Sequence, residues 1–204
     1  TYHFHRNSLL RLVERLDLYH VTLVVQDWGG ILGLTLPMEM RERFDRILIM
    51  NTALPDGETE LGEGFESWRR YVAEHPDLDV GRLMQRAVPG LSDQEARAYD
   101  APFPDERYKA GVRRFPELVP RTPEMDGADE SRRAAAQLNG DFVGPIFMAI
   151  GAQDPVLGPP VMHRLRAAIP NCPAPMEIRD AGHFVPEHGE RVAVEALRYF
   201  SNLS

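Results

Sequence analysis

Three short runs in this chain are apolar nearly end to end rather than at alternate positions. They are Val21-Thr22-Leu23-Val24-Val25, Arg46 to Met50, and Ile146-Phe147-Met148-Ala149-Ile150. A strand with one wet face alternates polar and apolar residues, whereas a strand buried in a parallel sheet between layers of helices does not. Helical periods surround these runs. From His5 to Leu18, Leu9, Leu10, Val13 and Leu16 recur at spacings of three and four, and Ile31 to Met40 resumes that spacing. Toward the C-terminus the pattern predicts a helix over Pro159 to Ile169, a short strand Met176-Glu177-Ile178, and a last helix from about Glu190 to Phe200. Strands alternating with helices imply an α/β fold built on a mostly parallel sheet with crossover helices.

The middle of the chain breaks this alternation. From Leu54 to about Met125 it is rich in Pro, Glu and Arg, with helical stretches near Phe65 to Glu74, Val80 to Ala87 and Ser92 to Tyr99. Pro102, Pro104, Pro116, Pro120 and Pro123 punctuate the remainder, and no buried-strand run occurs there. The expected organisation is a core of residues 1–53 and 126–204, interrupted by a helical insertion over 54–125. At 204 residues and 43% hydrophobic, the chain can fill one sizeable core but not two large ones.

Charge excludes some functions. The formal net charge is −8, and the Arg residues are scattered among Asp and Glu, so no basic surface is available for nucleic acid or an anionic membrane. No apolar run approaches the roughly 20 residues of a membrane span. The single cysteine, Cys172, excludes an intrachain disulfide and a Cys-based metal cluster, which fits a reducing, cytoplasmic setting. The chain opens Thr1-Tyr2-His3-Phe4-His5, without Met or a signal-type region, and reads as beginning partway through a longer protein.

Three segments place a polar residue of catalytic type just past the C-terminal end of a predicted strand, the edge at which open parallel sheets bind ligands. They are Val24-Val25-Gln26-Asp27-Trp28-Gly29-Gly30, Ile150-Gly151-Ala152-Gln153-Asp154, and Asp180-Ala181-Gly182-His183-Phe184. At the first, a sharp strand-to-helix turn would lift the Asp27 side chain clear of the backbone, with Gly29 and Gly30 supplying conformational freedom. A carboxylate there is already nucleophilic at neutral pH, and the ester it forms can itself be attacked by water. A helix N-terminus also favours an anion. His183 suits a general base, and Asp154 suits the carboxylate that fixes its tautomer. Taken singly, Asp27 could be a helix N-cap, Asp154 a turn residue before Pro155, and His183 an exposed loop residue. Their combination favours catalysis. His3, His5, His20, His75, His163 and His188 lack such a context and are expected at the surface.

Several motifs together resemble the haloalkane dehalogenases of the α/β-hydrolase superfamily, nearest the dichloroethane-degrading branch. These are Phe4-His5-Arg6-Asn7, Val25-Gln26-Asp27-Trp28-Gly29-Gly30, Ala101-Pro102-Phe103-Pro104-Asp105, Phe147-Met148-Ala149-Ile150-Gly151 and Asp180-Ala181-Gly182-His183-Phe184. The order nucleophile, acid, histidine is that of α/β-hydrolase triads. The resemblance implies a partial α/β-hydrolase core with an inserted helical cap. It implies that Asp27 displaces halide from a halogenated alkane and that the Trp28 indole N–H holds the leaving halide. The Trp28 backbone N–H would help form the oxyanion hole, and His183, paired with Asp154, would activate the water that hydrolyses the ester. No metal or organic cofactor is implied, and the full-length enzyme would be a monomer.

Two departures from that family follow. An ungapped comparison from Trp68 onward puts Ala87 where the branch carries a second halide-holding tryptophan, and an apolar methyl cannot donate to halide. Trp68 matches a different family tryptophan. The family's first strands and its other oxyanion-hole residue lie ahead of the point matching Thr1. Thr22 to Val25 should therefore form the edge of the sheet, with uncovered apolar surface, and the chain alone should be poorly soluble and inactive. Three other readings remain open: an epoxide hydrolase using the same Asp-His-Asp set with cap tyrosines such as Tyr71, Tyr99 or Tyr108, a non-catalytic ligand-binding member of the fold, and an inactive fragment.

Overall fold

Four strands pair side by side in chain order: β1 (Val21–Val25), β2 (Phe44–Met50), β3 (Ile146–Gly151) and β4 (Met176–Ile178). All three pairings are parallel, with Val25 opposite Ile49, Ile49 opposite Met148, and Gly151 opposite Ile178. This is the computed structural model of the protein, and it describes residues 1–203. The helices are α1 (Tyr2–Arg15), α2 (Trp28–Gly33), α3 (Glu63–Glu74), α4 (Val80–Ala87), α5 (Asp93–Asp100), α6 (Ala110–Leu118), α7 (Ala128–Gly140), α8 (Pro159–Ala167) and α9 (Gly189–Ser201).

Side chains of a strand alternate between faces, so each near-uniform apolar run feeds two cores at once. Ile47, Ile49, Ile146, Met148 and Ile150 point to one side, where Val13 of α1, Leu138 of α7, and Met162 and Leu165 of α8 pack on them. Leu48, Met50, Phe147 and Ala149 point to the other side, against Val192, Ala196 and Phe200 of α9. Helices thus cover both faces of β2 and β3, which is why those runs carry no polar alternation.

β1 departs from that expectation. Its residues alternate in burial, and Val24 is 57% exposed. Among the described residues β1 has a neighbour on one side only, so the expected sheet edge is present. Thr22 and Val24 lie on a face that neither core cluster covers.

One helical expectation also needs correction, and two helices were not anticipated. The period over Ile31 to Met40 yields only the short α2, followed by a separate 3₁₀ turn at Leu36–Met38, because Pro37 has no N–H with which to continue the helix. Pro116 lies inside α6 rather than ending it. α7 has no large-residue stripe, and its buried positions are Ala128, Ser131, Ala134 and Leu138, too small to register as an amphipathic period.

The chain divides into two compact units, one of Thr1–Thr59 with the chain from Pro120 onward, the other of Glu60–Val119. The second unit is helical. Its α4 and α5 are N-capped by Asp79 and by a Ser92–Glu95 capping box, and Asp100 accepts from the Gly81 N–H at 2.7 Å. Within it Tyr71 stacks on His75 and Trp68, and Tyr108 is exposed. No helix among the described residues is long and apolar enough to cross a membrane.

Candidate active site

Asp27 joins β1 to α2 at φ 49°, ψ −124°, a backbone conformation uncommon for a residue with a Cβ. Neighbouring backbone holds it there. Its N–H donates to the Asn51 carbonyl at 2.9 Å, and its carbonyl accepts from the Thr52 hydroxyl at 2.7 Å and from the Gly30 and Ile31 N–H groups at 2.9 and 3.1 Å. Strain of this kind persists only where the surroundings over-determine it, and it concentrates at functional sites. Asp27 occupies the N-cap position of α2, but its carboxylate makes no capping hydrogen bond.

The role expected of the two glycines changes. Neither Gly29 nor Gly30 has positive φ, and the unusual conformation falls on Asp27 itself. Gly30 is required for closeness, since a Cβ there would collide with the Thr52 side chain, whereas a Cβ on Gly29 would meet nothing within 4 Å.

His183 lies in the loop between β4 and α9. Its Nδ1 is 2.8 Å from Asp154 Oδ2, its Nε2 is 3.8 Å from Asp27 Oδ1, and the Phe184 ring meets it edge-on. A carboxylate accepts but cannot donate, so Nδ1 carries the proton and the neutral ring presents a lone pair at Nε2. Asp154 is fully buried at the side chain and satisfied on every side. Asn51 Nδ2 donates to Oδ2 at 2.8 Å and the Val156 N–H donates to Oδ1 at 2.8 Å. The acid and histidine loops are joined by the Gln153 N–H donating to the Ala181 carbonyl at 2.9 Å.

Burial and charge act in opposite directions on these groups. Burial pushes the Asp27 carboxyl above the usual carboxylate range, and His183 and the Trp28 backbone N–H only partly offset it. The Asp27 side chain is still 38% accessible, so it is surrounded by protein yet open to a small molecule. Burial also works to raise Asp154, but the bonds from His183, Asn51 and Val156 outweigh it and hold its pKa down. For His183 burial works downward, and the Asp154 bond with the charges of Asp27 and Asp154 carries the imidazole above its ordinary value.

Asp27, Asp154 and His183, far apart in the chain, thus meet at the C-terminal ends of β1, β3 and β4. Trp28 opens α2 beside them, half-buried against Tyr2, Ile31 and Leu32. Of the other histidines, His20, His75 and His163 are exposed, while His3, His5 and His188 are half-buried. His3 bonds Glu130 at 2.7 Å, so it is not simply a surface residue.

Sequence reasoning missed three residues. Gln26 contacts His183, Thr52 holds the Asp27 carbonyl, and Asn51 links everything. The Asn51 amide accepts from the Gly151 N–H at 2.8 Å and donates to Asp154, while its carbonyl takes the Asp27 N–H. The signal was available, because Asn51-Thr52 follows β2 at the same sheet edge that singled out the other segments. Among the described residues no group of three or more His, Cys, Asp or Glu side chains is placed to hold a metal ion.

Residues 1–190 match the family model of the alpha/beta hydrolase fold. The chain belongs to the α/β-hydrolase family. Within it, the chain is 41% identical over 199 residues to a haloalkane dehalogenase of Psychrobacter cryohalolentis, covering 95% of this chain and 64% of that protein. It is 37% identical over 193 residues to haloalkane dehalogenase 1 of Mycobacterium tuberculosis, covering 92% and 62%. The tetrameric haloalkane dehalogenase DpaA from Paraglaciecola agarilytica superposes with a TM-score of 0.94 at 43% identity, over 97% of this chain and 66% of that one. This α/β-hydrolase chain therefore spans less than two thirds of the length of these two curated relatives.

Proposed function

We propose that these residues hydrolyse carbon–halogen bonds of halogenated alkanes through an ester on Asp27. The observation that carries the reading is the Asp27 carboxylate itself: held at a strained turn, uncommitted to capping its helix, and 3.8 Å from a histidine whose far nitrogen is bonded to a buried acid. Similarity to haloalkane dehalogenases over most of the chain supports it.

In the first step an Asp27 oxygen attacks the halogen-bearing carbon from behind. The C–O bond forms as the carbon–halogen bond breaks, and halide leaves with the electron pair. Burial assists this step, because a poorly solvated carboxylate gains by sharing its charge with the leaving group. We assign the Trp28 indole N–H to the departing halide. In the second step His183 Nε2 takes a proton from water, and the hydroxide attacks the Asp27 carbonyl carbon. Asp154 stabilises the imidazolium. The Trp28 backbone N–H, already near the carboxylate, stabilises charge on the carbonyl oxygen. Collapse returns the proton to the departing alkoxide and restores Asp27, so alkyl halide and water become alcohol, halide and a proton.

The test is a trap. His183→Gln, incubated with a bromoalkane, should release one equivalent of bromide and gain the mass of the alkyl group on Asp27, while Asp27→Asn gains nothing. Continued turnover in His183→Gln with no adduct would overturn the assignment.

A further inference from the structure

Gln26 has no place in the two steps above, yet its side chain reaches the nitrogen on which the second depends. Its Nε2 lies 3.1 Å from the His183 carbonyl oxygen and 3.2 Å from His183 Nε2. The first contact fixes which way the amide faces, because only the NH₂ end can bond a carbonyl. The second N–H is thereby aimed at the ring. Since Nδ1 holds its proton against Asp154, Nε2 is the bare nitrogen, and the amide donates into its lone pair. A protonated Nε2 would set N–H against N–H.

We infer that Gln26 is a positioning residue that favours the unprotonated, base-competent form of His183 Nε2 and anchors the His183 loop through its carbonyl. The inference rests on His183 acting as the base in ester hydrolysis. Its physical need is visible in the surroundings. Asp27, from the turn after β1, and Asp154, from the loop after β3, face the ring with negative charge and favour the imidazolium. Asp180, on the histidine's own loop, is engaged with Arg191 at 3.0 Å. A base flanked by two carboxylates tends to be protonated already, and the neutral donor of Gln26 opposes that tendency. An acid at this position would reinforce it. When water is to be activated, the same amide can exchange its bond to Nε2 for one to the water oxygen while its other N–H stays on the backbone.

The inference separates from a merely structural role by titration. Ring-¹⁵N spectra of histidine-labelled protein, with His183 assigned by its loss in His183→Gln, give the protonation midpoint directly. Gln26→Met keeps the shape and removes both donors. Gln26→Glu keeps the shape and substitutes an acceptor. The midpoint should rise by about one pH unit in Gln26→Met, the scale of one neutral hydrogen bond, and further in Gln26→Glu. The acid limb for decay of the Asp27 ester should rise in parallel. A midpoint unchanged in both variants overturns the inference, whatever happens to the rate or the melting temperature. If no ester forms on Asp27 in any variant, the dehalogenase reading fails, while the titration still decides what Gln26 does to His183.

Discussion

His183 Nε2 and Asp27 Oδ1 stand 3.8 Å apart, beyond hydrogen-bond length but well within electrostatic reach. The imidazole therefore leaves the carboxylate oxygens free to attack while still feeling their charge, which helps raise its pKa. Alkylation turns Asp27 into a neutral ester and removes that contribution. His183 should then become less readily protonated at the stage where it must accept a proton from water. The acid limb for ester decay, followed by rapid-quench mass spectrometry, should lie below the His183 midpoint measured in the unreacted protein. Equal values would mean that the Asp27 charge does not control the base.

Asp154 offers a separate test. It is buried, accepts three hydrogen bonds and fixes the His183 proton on Nδ1. In Asp154→Asn the amide can present its NH₂ group to Nδ1 and invert the tautomer. Ester decay should slow by about 10³–10⁴-fold, and the ester should accumulate. The same residue should appear in the stability profile. Its folded pKa is held below the unfolded value, so its stabilisation is present above the ordinary carboxylate range and lost as pH falls through the folded pKa. Melting temperature should therefore fall less steeply in acid for Asp154→Asn than for the parent.

How legible this was varies with the physics of each element. β2 and β3 could be read because burial on both faces forbids alternation, and their runs are unambiguous. The Asp27–Trp28, Asp154 and His183 segments stood out because each lies just past the end of a predicted strand, although only the Asp154 segment follows a strand buried on both faces. α7 was illegible because its contacts are made through Ala128, Ala134 and Ser131, small residues that leave no hydrophobic stripe. Asn51 and Gln26 also follow strands at that edge, so their positions were legible but their roles were not. Both are neutral amides whose importance lies in which atoms they bridge, and residue type alone does not encode a bridge. The two glycines show the limit of motif reasoning, since the tight turn is real but the unusual φ belongs to Asp27 and only Gly30 faces a steric demand.

That contrast between neighbouring glycines can be measured. Gly29→Ala meets open space, and alanine favours helix, so the variant should fold at least as stably as the parent and retain ester formation. Gly30→Ala drives a methyl into the Thr52 side chain, whose hydroxyl holds the Asp27 carbonyl. It should lose about 1–3 kcal/mol in denaturant unfolding, the usual cost of overpacking, and form the Asp27 ester more slowly. Adding Thr52→Gly should recover part of the stability without restoring the rate, because the bond to the Asp27 carbonyl stays lost. Equal behaviour of the two alanine variants would show that Gly30 is not held against Thr52.

The nucleophile should also be a source of instability. Burial raises the folded pKa of Asp27, so the sign is opposite to that of Asp154. Ionising Asp27 in the folded protein is harder than in the unfolded chain, and stability is lost as pH rises through that pKa. Asp27→Asn removes the charge and keeps the shape, and asparagine tolerates positive φ better than most residues, so no new backbone strain is added. With His183 neutral, so that little ionic attraction is lost, the variant should melt higher than the parent. The gain should shrink as pH falls, because protonated Asp27 carries no charge to relieve and charged His183 misses its partner. Calorimetry above and below the His183 midpoint separates the terms. A variant that melts lower above the His183 midpoint would show that Asp27 is held by attractive contacts rather than strained by burial, and the case for a poorly solvated, reactive carboxylate would fall with it.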